Sequence, residues 1–451
     1  MRQATSAGKV ALAVLSLVLA VFIWGKGLQE SFSRPSVAPQ LSMRQQEISL
    51  LAAPSVPNSF KPLLIGDIST EKLRQTLSGI PVERMNDRER LVYASLETNV
   101  RKRSLALEAP VKDMVLAPIQ KALIALSDDS RDITSDLNVL ITIKDDPLLY
   151  QVSCLAIGGS SDVCIDSMVS KSMALRLGFS QGLPAIAVLL GIAFLIRQIW
   201  LLLRKTGRPW PQLVAMPLSL LDMVLLVAGG FVVLGEVISP SLFAPFVEIL
   251  TRDVGTPLKE SLRVLIGYII MTIPPLLILR QQLNGLKVFD SPDGGWFQWR
   301  FSPTGQAFIK AFVGWLMVLP LVLLISWLMN VLVGDQGGSN PLLELVLHSQ
   351  EPLPLILLLI TTVVLAPLFE ELVFRGTLLP VLAKALGRSW GVIVSALVFA
   401  LAHLSVGEFP PLVVLGLGLA FLRLSSGRLF PCVLMHSLWN GITFASLLLL
   451  G

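Results

Sequence analysis

Three ionisable side chains lie close together inside an apolar run near the C-terminus. The segment reads "TTVVLAPLFEELVFRGTLLP", from Thr361 to Pro380, and contains Glu370, Glu371 and Arg375. A charged side chain at the centre of a bilayer costs about 2.5–3.5 kcal/mol on insertion scales, so such residues usually face a protein interior. We therefore expect this segment to carry a buried ion pair, or chemistry, or both.

Helical geometry separates the two glutamates. Adjacent helical residues point about 100° apart, whereas residues four apart are neighbours on the helix surface. Arg375 can therefore neutralise Glu371, and Glu370 is left free to act. A purely structural interpretation, in which all three residues tie this helix to another, leaves Glu370 unpaired.

Two of the three histidines in the chain lie in later apolar runs. His403 ends "FALAH", one helical turn after Phe399, and His436 begins "HSLWN", one turn before Asn440. For either histidine alone, a ring bonded to a backbone carbonyl in the interior is the simpler interpretation. The combination with Glu370 favours a shared site instead.

The depths of these groups in their helices agree with one another. Counted from the predicted cytoplasmic ends at about 1.5 Å per residue, Glu370 lies roughly 15 Å deep, His403 roughly 20 Å, His436 roughly 11 Å and Asn440 roughly 17 Å. All four fall between the cytoplasmic surface and the midplane. We therefore predict that they meet in one layer of the bilayer.

This set of side chains supports hydrolysis of an amide bond. Glu370 and His403 can orient and deprotonate a water, and His436 and Asn440 can donate hydrogen bonds to the oxyanion that forms. The chain contains no H-E-x-x-H or G-x-G-D sequence that would supply a competing mechanism.

The same ligand types also suit a metal ion. Two histidines and a carboxylate are a common catalytic zinc set, so zinc or another divalent metal stays an alternative. The histidines lie on separate helices without local ligand spacing, and the amide of Asn440 is a poor zinc ligand. We favour a metal-free glutamate mechanism, which requires no cofactor.

The composition indicates a polytopic membrane protein. Of 451 residues, 53% are hydrophobic and 15% are charged, and the mean hydropathy is +0.71, which is too apolar for an ordinary soluble protein. The net charge of +5 does not indicate a nucleic-acid partner, because the basic residues are scattered and many follow apolar runs. The expected partners are the lipid bilayer and a membrane-bound protein or peptide.

The apolar runs predict an all-α membrane protein with about nine transmembrane helices. The first run, from Val10 to Trp24, lacks a clean cleavage site after it and is expected to be an uncleaved anchor. A mostly helical soluble domain lies between the first and second helices. The later runs span roughly 184–203, 213–238, 262–279, 307–333, 353–379, 390–406, 411–424 and 429–450.

Four segments follow from these runs: 1–27 as the anchor, 28–179 as the soluble domain, 180–340 as further membrane helices, and 341–451 as the core that contains the candidate residues. The positive-inside rule places the N-terminus and the opening of the site in the cytoplasm, and the soluble domain outside it. The basic residues that support this topology are Arg2, Lys9, Arg204, Arg208, Arg280, Lys287, Arg300, Lys384, Arg388, Arg423 and Arg428. Within the soluble domain, Cys154 and Cys164 are near enough in sequence for a disulfide, which the sequence leaves open.

Three short motifs resemble the CAAX prenyl protease and bacteriocin-processing family of intramembrane endopeptidases, also called CPBP or Abi. Its pattern is E-E-x-x-x-R, then F-x-x-x-H, then H-x-x-x-N or H-x-x-x-D. Here the motifs are "EELVFR", "FALAH" and "HSLWN", in the same order and on successive apolar runs. The resemblance covers roughly Leu353 to the C-terminus.

The resemblance implies that Glu370 and His403 activate water and that His436 and Asn440 stabilise the oxyanion, with Glu371 and Arg375 in support. It also implies a glutamate-type protease, although the family has long been described as metal-dependent. Eukaryotic relatives trim prenylated proteins, and bacterial ones are linked to bacteriocin maturation or self-immunity. We expect an intramembrane endopeptidase that cleaves a membrane-associated or lipidated protein or peptide.

Two other classes of protein fit parts of the pattern. An ion-coupled transporter would use the glutamates and histidines as a relay within the membrane, but the chain shows no repeated halves with matching broken helices. A non-catalytic immunity or scaffold protein on the same fold would not need all three motifs.

Overall fold

The computed structural model describes residues 6–34, 37–66, 69–127, 133–207, 209–284, 286, 291–334, 341–349 and 351–450. Of the basic residues used to predict topology, Arg2, Arg208 and Lys287 lie outside these ranges. The chain divides into two compact units. The membrane unit comprises Met1–Val37, Ala185–Leu449 and Gly451, and the small unit comprises Ala38–Pro184 and Leu450.

Helix α1 (Ala7–Ser31) begins the membrane unit. The small unit follows, and its α-helices are α2 (Ala38–Ala52), α3 (Lys61–Leu64), α4 (Thr70–Ser78), α5 (Asp87–Leu96), α6 (Val100–Glu108), α7 (Ala117–Ile124), α8 (Ile133–Val139), α9 (Pro147–Ile157), α10 (Ser161–Cys164) and α11 (Ser167–Leu177). Short 3₁₀ turns lie at Val82–Arg84, Ala125–Ser127 and Leu140–Ile143.

The small unit has its own apolar core and a covalent cross-link. Leu73, Leu91 and Leu149 are among the fully buried residues of that core. Asn86 caps α5, and the side chain of Glu89 bonds back to the Asn86 amide in a capping box. A disulfide joins Cys154 to Cys164, which answers the question that the sequence left open.

A π-helical turn at Gly178–Gly182 follows α11. The remaining α-helices are α12 (Leu183–Leu203), α13 (Leu220–Val224), α14 (Ser239–Leu250), α15 (Leu258–Asn284), α16 (Thr304–Val333), α17 (Pro341–His348), α18 (Pro352–Leu359), α19 (Ala366–Glu371), α20 (Leu379–Leu386), α21 (Arg388–Leu401), α22 (Phe409–Ser426) and α23 (Phe430–Leu450). Three π-helical segments connect some of them without a break, at Leu225–Ile238, Ile360–Leu365 and Leu372–Leu378.

Eight helices in the described ranges are long and apolar enough to cross a membrane. They are Ala7–Ser31, Ser167–Leu203, Leu220–Leu250, Leu258–Asn284, Thr304–Val333, Pro352–Leu386, Phe409–Ser426 and Phe430–Leu450. The predicted run at 390–406 is instead the shorter helix α21, whose 14 residues reach about 21 Å at 1.5 Å per residue, short of a bilayer core. The all-helical, multi-pass prediction is confirmed.

Arg423 corrects one detail of the predicted topology. The sequence analysis placed this residue among loop cations, but it lies in the last turns of α22 with a side chain that is 0% exposed. Its Nε donates to the carbonyl oxygen of Arg375, and its Nη2 donates to that of Phe297. Arg423 is therefore an internal charge of the membrane unit and carries no information about which loops are cytoplasmic.

Candidate active site

The helix that carries the two glutamates is widened on both sides of them. Pro367 and Pro380 lack an N–H and would each clash with the carbonyl four residues earlier in a regular α-helix. The π-helical segments Ile360–Leu365 and Leu372–Leu378 lie just before these prolines, and their main-chain bonds span five residues. The prolines are thus accommodated without breaking the span, and Glu370 and Glu371 lie at the end of the short α-helical stretch between the two segments.

On one side of this helix, Glu371 and Arg375 form a fully buried ion pair. Arg375 Nη1 donates to Glu371 Oε1 at 2.8 Å, and both side chains are 0% exposed. Arg375 Nη2 also donates to the carbonyl oxygen of Gly416 on α22. Gly416 also permits the close packing of α22 on α21, because a Cβ at its position would lie 3.1 Å from Cα of Ala396. The i, i+4 pairing is present in the structure as expected.

We call Glu371, Arg375 and Arg423 the support side of the site. Two guanidinium groups and one carboxylate meet here, and each makes at least one hydrogen bond to protein. Three of their polar atoms make no hydrogen bond within the described part of the chain: Glu371 Oε2, Arg375 Nε and Arg423 Nη1.

Phe399 packs against Arg375 of the support side and against the two histidines. Its ring is 0% exposed, and the guanidinium carbon of Arg375 lies 4.1 Å from the ring centroid. The rings of His403 and His436 contact the same phenylalanine edge-on, with centroids 4.8 and 5.6 Å away. Phe399 therefore fixes the orientation of both imidazoles by packing and places a cation–π contact behind them.

His436 connects the two sides. Its Nδ1 lies 2.9 Å from Glu371 Oε1, and its Nε2 lies 3.8 Å from Glu370 Oε2. Glu371 already accepts a hydrogen bond from Arg375, so it is an ionised acceptor and the Nδ1 of His436 carries a proton. In a neutral ring, Nε2 of His436 is then an acceptor that faces Glu370.

His403 also carries its proton on Nδ1, but the acceptor is a backbone carbonyl and not a carboxylate. Its Nδ1 lies 2.9 Å from the carbonyl oxygen of Phe399, which can only accept, so Nδ1 carries the proton of the neutral ring. Its Nε2 lies 4.0 Å from Glu370 Oε2. His403 is therefore bonded to a backbone carbonyl, as the simpler interpretation expected, whereas His436 is bonded to the carboxylate of Glu371. Each histidine still directs Nε2 toward Glu370.

We call Glu370, His403 and the Nε2 atom of His436 the reaction side. Glu370 is 17% exposed and His403 is 24% exposed, in contrast to the sealed support side. Glu370 Oε2 is buried and has no hydrogen-bond partner within the described ranges. The two Nε2 atoms approach it only to 3.8–4.0 Å, so a gap separates three polar atoms that converge on one point.

Asn440 lies one turn after His436 on α23. Its Nδ2 donates to the carbonyl oxygen of Thr362 at 2.8 Å, about two helical turns before Glu370. Thr362 lies in the π-helical segment Ile360–Leu365, which the sequence pattern did not predict. The structure thus links Glu370, Glu371, Arg375, Phe399, His403 and His436 through a series of pairwise contacts, and it bonds Asn440 to Thr362 on the glutamate helix.

The turn after His403 is bonded to α1, which the sequence analysis did not connect with the site. Leu404 has a left-handed φ of 49° and packs on Gly27, where a Cβ would lie 2.9 Å from Leu404 Cδ1. Arg34 donates to the Leu404 carbonyl oxygen, and the buried Ser31 Oγ accepts from the Val406 amide at 3.0 Å. No local sequence signal indicates this pairing, because its partners are about 370 residues apart.

The metal alternative was tested on the donor geometry. Among the residues that the structure describes, no group of three or more His, Cys, Asp or Glu side chains is arranged to bind a metal ion. Glu370, His403 and His436 are donors of the right chemical type, but they do not form such a group. We therefore derive no step through a metal.

Comparisons with known proteins identify two matched segments. Residues 352–442 match the family described as type II CAAX prenyl endopeptidase Rce1-like, and residues 38–175 match a domain of unknown function (DUF8675). CAAX prenyl protease 2 from Homo sapiens is 37% identical over 101 residues, which cover 18% of this chain and 31% of that protein. No solved structure matches. All three motifs lie within 352–442, so the resemblance stated from them is confirmed for that segment.

Proposed function

We propose that this protein is an intramembrane endopeptidase in which Glu370 and His403 activate the attacking water. The observation that carries the proposal is the gap at Glu370 Oε2, a buried carboxylate oxygen faced by Nε2 of both histidines. The match of residues 352–442 to an Rce1-like CAAX protease family and the multi-pass helical fold support a hydrolase that acts within the membrane.

The geometry of the gap suits one water. Two acceptors 4.0 Å apart, such as Glu370 Oε2 and His403 Nε2, can each accept one hydrogen of the same water at ordinary hydrogen-bond lengths. Glu370 then takes a proton as the water oxygen bonds to the scissile carbonyl carbon. The same proton can pass to the leaving amine when the carbon–nitrogen bond breaks.

The oxyanion of the tetrahedral intermediate needs hydrogen-bond donors. In this proposal, His436 supplies one through Nε2, which requires the ring to carry both protons, and Glu371 stabilises that state through Nδ1. Asn440 supplies the second, with the N–H that is not engaged by Thr362. Glu371 and Arg375 act on the reaction only through His436.

The proposed substrate is a membrane-bound or lipidated protein or peptide. Glu370 lies in a span of residues 352–386, so a peptide must reach it from within or beside the bilayer. The proposed topology has the site opening to the cytoplasm and the small unit on the opposite side. The Cys154–Cys164 disulfide supports this placement, because disulfides persist in oxidising compartments.

Turnover of a membrane-tethered peptide by the purified full-length chain in liposomes tests the proposal. We expect cleavage that falls by about 10³-fold or more in Glu370→Gln and His403→Ala. Glu236→Gln is the matched control, since Glu236 is another partly buried membrane carboxylate, but it accepts from Trp24 Nε1 outside the site. Ion flux without a cleaved product would contradict the proposal.

A chelator series with zinc add-back tests the metal question separately. In the proposed mechanism the cleavage rate is unchanged by chelation and by added zinc. A rate that falls on chelation and returns in proportion to bound zinc would instead assign Glu370, His403 and His436 to a metal ion.

A further inference from the structure

Tyr268 is a polar residue near Glu370 that no motif contains. It lies on α15, outside the matched segment 352–442. Its ring packs edge-on against Phe369, the residue before Glu370, with ring centroids 6.3 Å apart and planes at 89°. The phenol oxygen interacts electrostatically with the Glu370 carboxylate. The hydroxyl therefore faces the reaction side from a helix that the motifs do not include.

Two buried polar atoms here lack a hydrogen bond of ordinary geometry, although their side chains are close enough to interact. Tyr268 Oη and Glu370 Oε2 are both shielded from solvent, and neither has a hydrogen-bond partner among the residues that the structure describes. A buried polar group without a partner is destabilising, and in native proteins such groups are usually bonded to protein or to ordered water. A water that accepts from Tyr268 Oη and donates to Glu370 Oε2 would satisfy both atoms.

The hydroxyl of Tyr268 can donate a hydrogen bond to a water on the reaction side. Glu370 and His403 hold the water in the proposed mechanism. An ionised Glu370 only accepts, and the Nε2 atom of a neutral His403 also only accepts, because that ring carries its proton on Nδ1. The Nε2–H of His436 donates to the oxyanion in that mechanism and not to the water. Two acceptors alone leave the lone pairs of the water unfixed, and the O–H of Tyr268 supplies the missing donor.

We propose that Tyr268 is a further catalytic residue, which donates a hydrogen bond to the attacking water while that water donates to Glu370 and His403. The inference rests on the proposed hydrolysis. Three of the four hydrogen-bonding directions of the water are then fixed, and the remaining lone pair attacks the scissile carbonyl. Tyr268 keeps its proton throughout, since Glu370 takes the proton that the water loses.

Tyr268→Phe removes only the hydroxyl and keeps the ring contact with Phe369. We expect kcat to fall on the order of 10-fold, as for loss of one hydrogen bond to the attacking water, with KM changed less than about twofold. Tyr93→Phe is the matched control, because Tyr93 Oη also donates to a buried glutamate, Glu97, at 3.0 Å in the small unit. That variant should retain full kcat.

Fluorine NMR supplies a readout that does not depend on turnover or on the stability of Tyr268→Phe. The chain has three tyrosines, so 3-fluorotyrosine labelling gives three resonances, and the Tyr268 signal is the one absent from Tyr268→Phe. If that variant does not fold, Tyr93→Phe and Tyr150→Phe assign the other two. We expect Glu370→Gln to shift the Tyr268 resonance alone.

The outcomes separate this inference from the proposed function. If Glu370→Gln abolishes cleavage while Tyr268→Phe keeps full kcat, the catalytic assignment of Tyr268 is wrong and the endopeptidase proposal stands. A Tyr268 resonance that Glu370→Gln leaves in place would also overturn the inference. If Glu370→Gln cleaves normally, the proposed function itself fails.

Discussion

Glu370 and Glu371 are adjacent residues of the same type, yet they lie in opposite environments. On the support side, Glu371 is 0% exposed and is bonded to Arg375 and His436. On the reaction side, Glu370 is partly exposed, and its Oε2 has no hydrogen-bond partner in the described ranges. The difference of about 100° between adjacent helical positions produces this division.

The comparison shows how a membrane protein can hold a reactive carboxylate in place. A buried ion pair gives little net stability, but breaking it is costly, so the Glu371–Arg375 pair strongly specifies one arrangement of its neighbours. The contact of His436 Nδ1 with Glu371 then holds the imidazole ring of His436 in one orientation. The carboxylate of Glu370 faces this ring, whose orientation is fixed by Glu371 and not by Glu370.

Exchanging one glutamate at a time should give the largest contrast. We expect Glu370→Gln to lower kcat/KM by about 10³-fold or more and to leave the thermal unfolding midpoint of the purified protein nearly unchanged. Glu371→Gln should lower both, because it removes the charge that Arg375 and His436 contact. The measurements are cleavage in liposomes and thermal unfolding in detergent. Equal losses of stability in the two variants would mean that the division into two sides is wrong.

Arg375→Met should have the next largest effect, and it acts on stability. The substitution leaves Glu371 buried without its counter-charge, which typically costs about 3–5 kcal/mol. The double variant Glu371→Gln, Arg375→Met should recover a substantial part of that loss, because no unpaired carboxylate remains. Arg388→Met is a suitable control, since Arg388 is the exposed first residue of α21. An Arg375→Met protein as stable as the parent would contradict the buried-pair account.

Local rules predicted the parts of the site that depend on one helix. The i, i+4 rule predicted the Glu371–Arg375 pair and the contact of Phe399 with His403, and apolar run lengths predicted the multi-pass helical fold. The rules did not give the π-helical segments, although Pro367 and Pro380 are a signal that could have indicated them.

Contacts between distant segments could not be predicted in the same way. The bond from His436 to Glu371, the internal position of Arg423 and the contact of Tyr268 with Phe369 all depend on how separate helices pack. Only the tertiary arrangement brings Arg423 to the main chain of Arg375, 48 residues away in sequence. A basic residue near the end of an apolar run was therefore assigned to a loop when it belongs to the interior.

The smallest predicted effect concerns how α1 positions the reaction side. Arg34→Gln and Ser31→Ala each remove one hydrogen bond to the turn at Leu404–Val406, next to His403. Such a bond contributes about 0.5–1.5 kcal/mol, so we expect kcat to fall about 2- to 10-fold with KM nearly unchanged. Arg34→Lys, which retains a donor, should recover part of the loss. Phe22→Leu is the control, since Phe22 on α1 is 72% exposed. If Arg34→Gln, Ser31→Ala and this control have identical kinetics, α1 does not position His403, and the reaction side is organised by the matched segment alone.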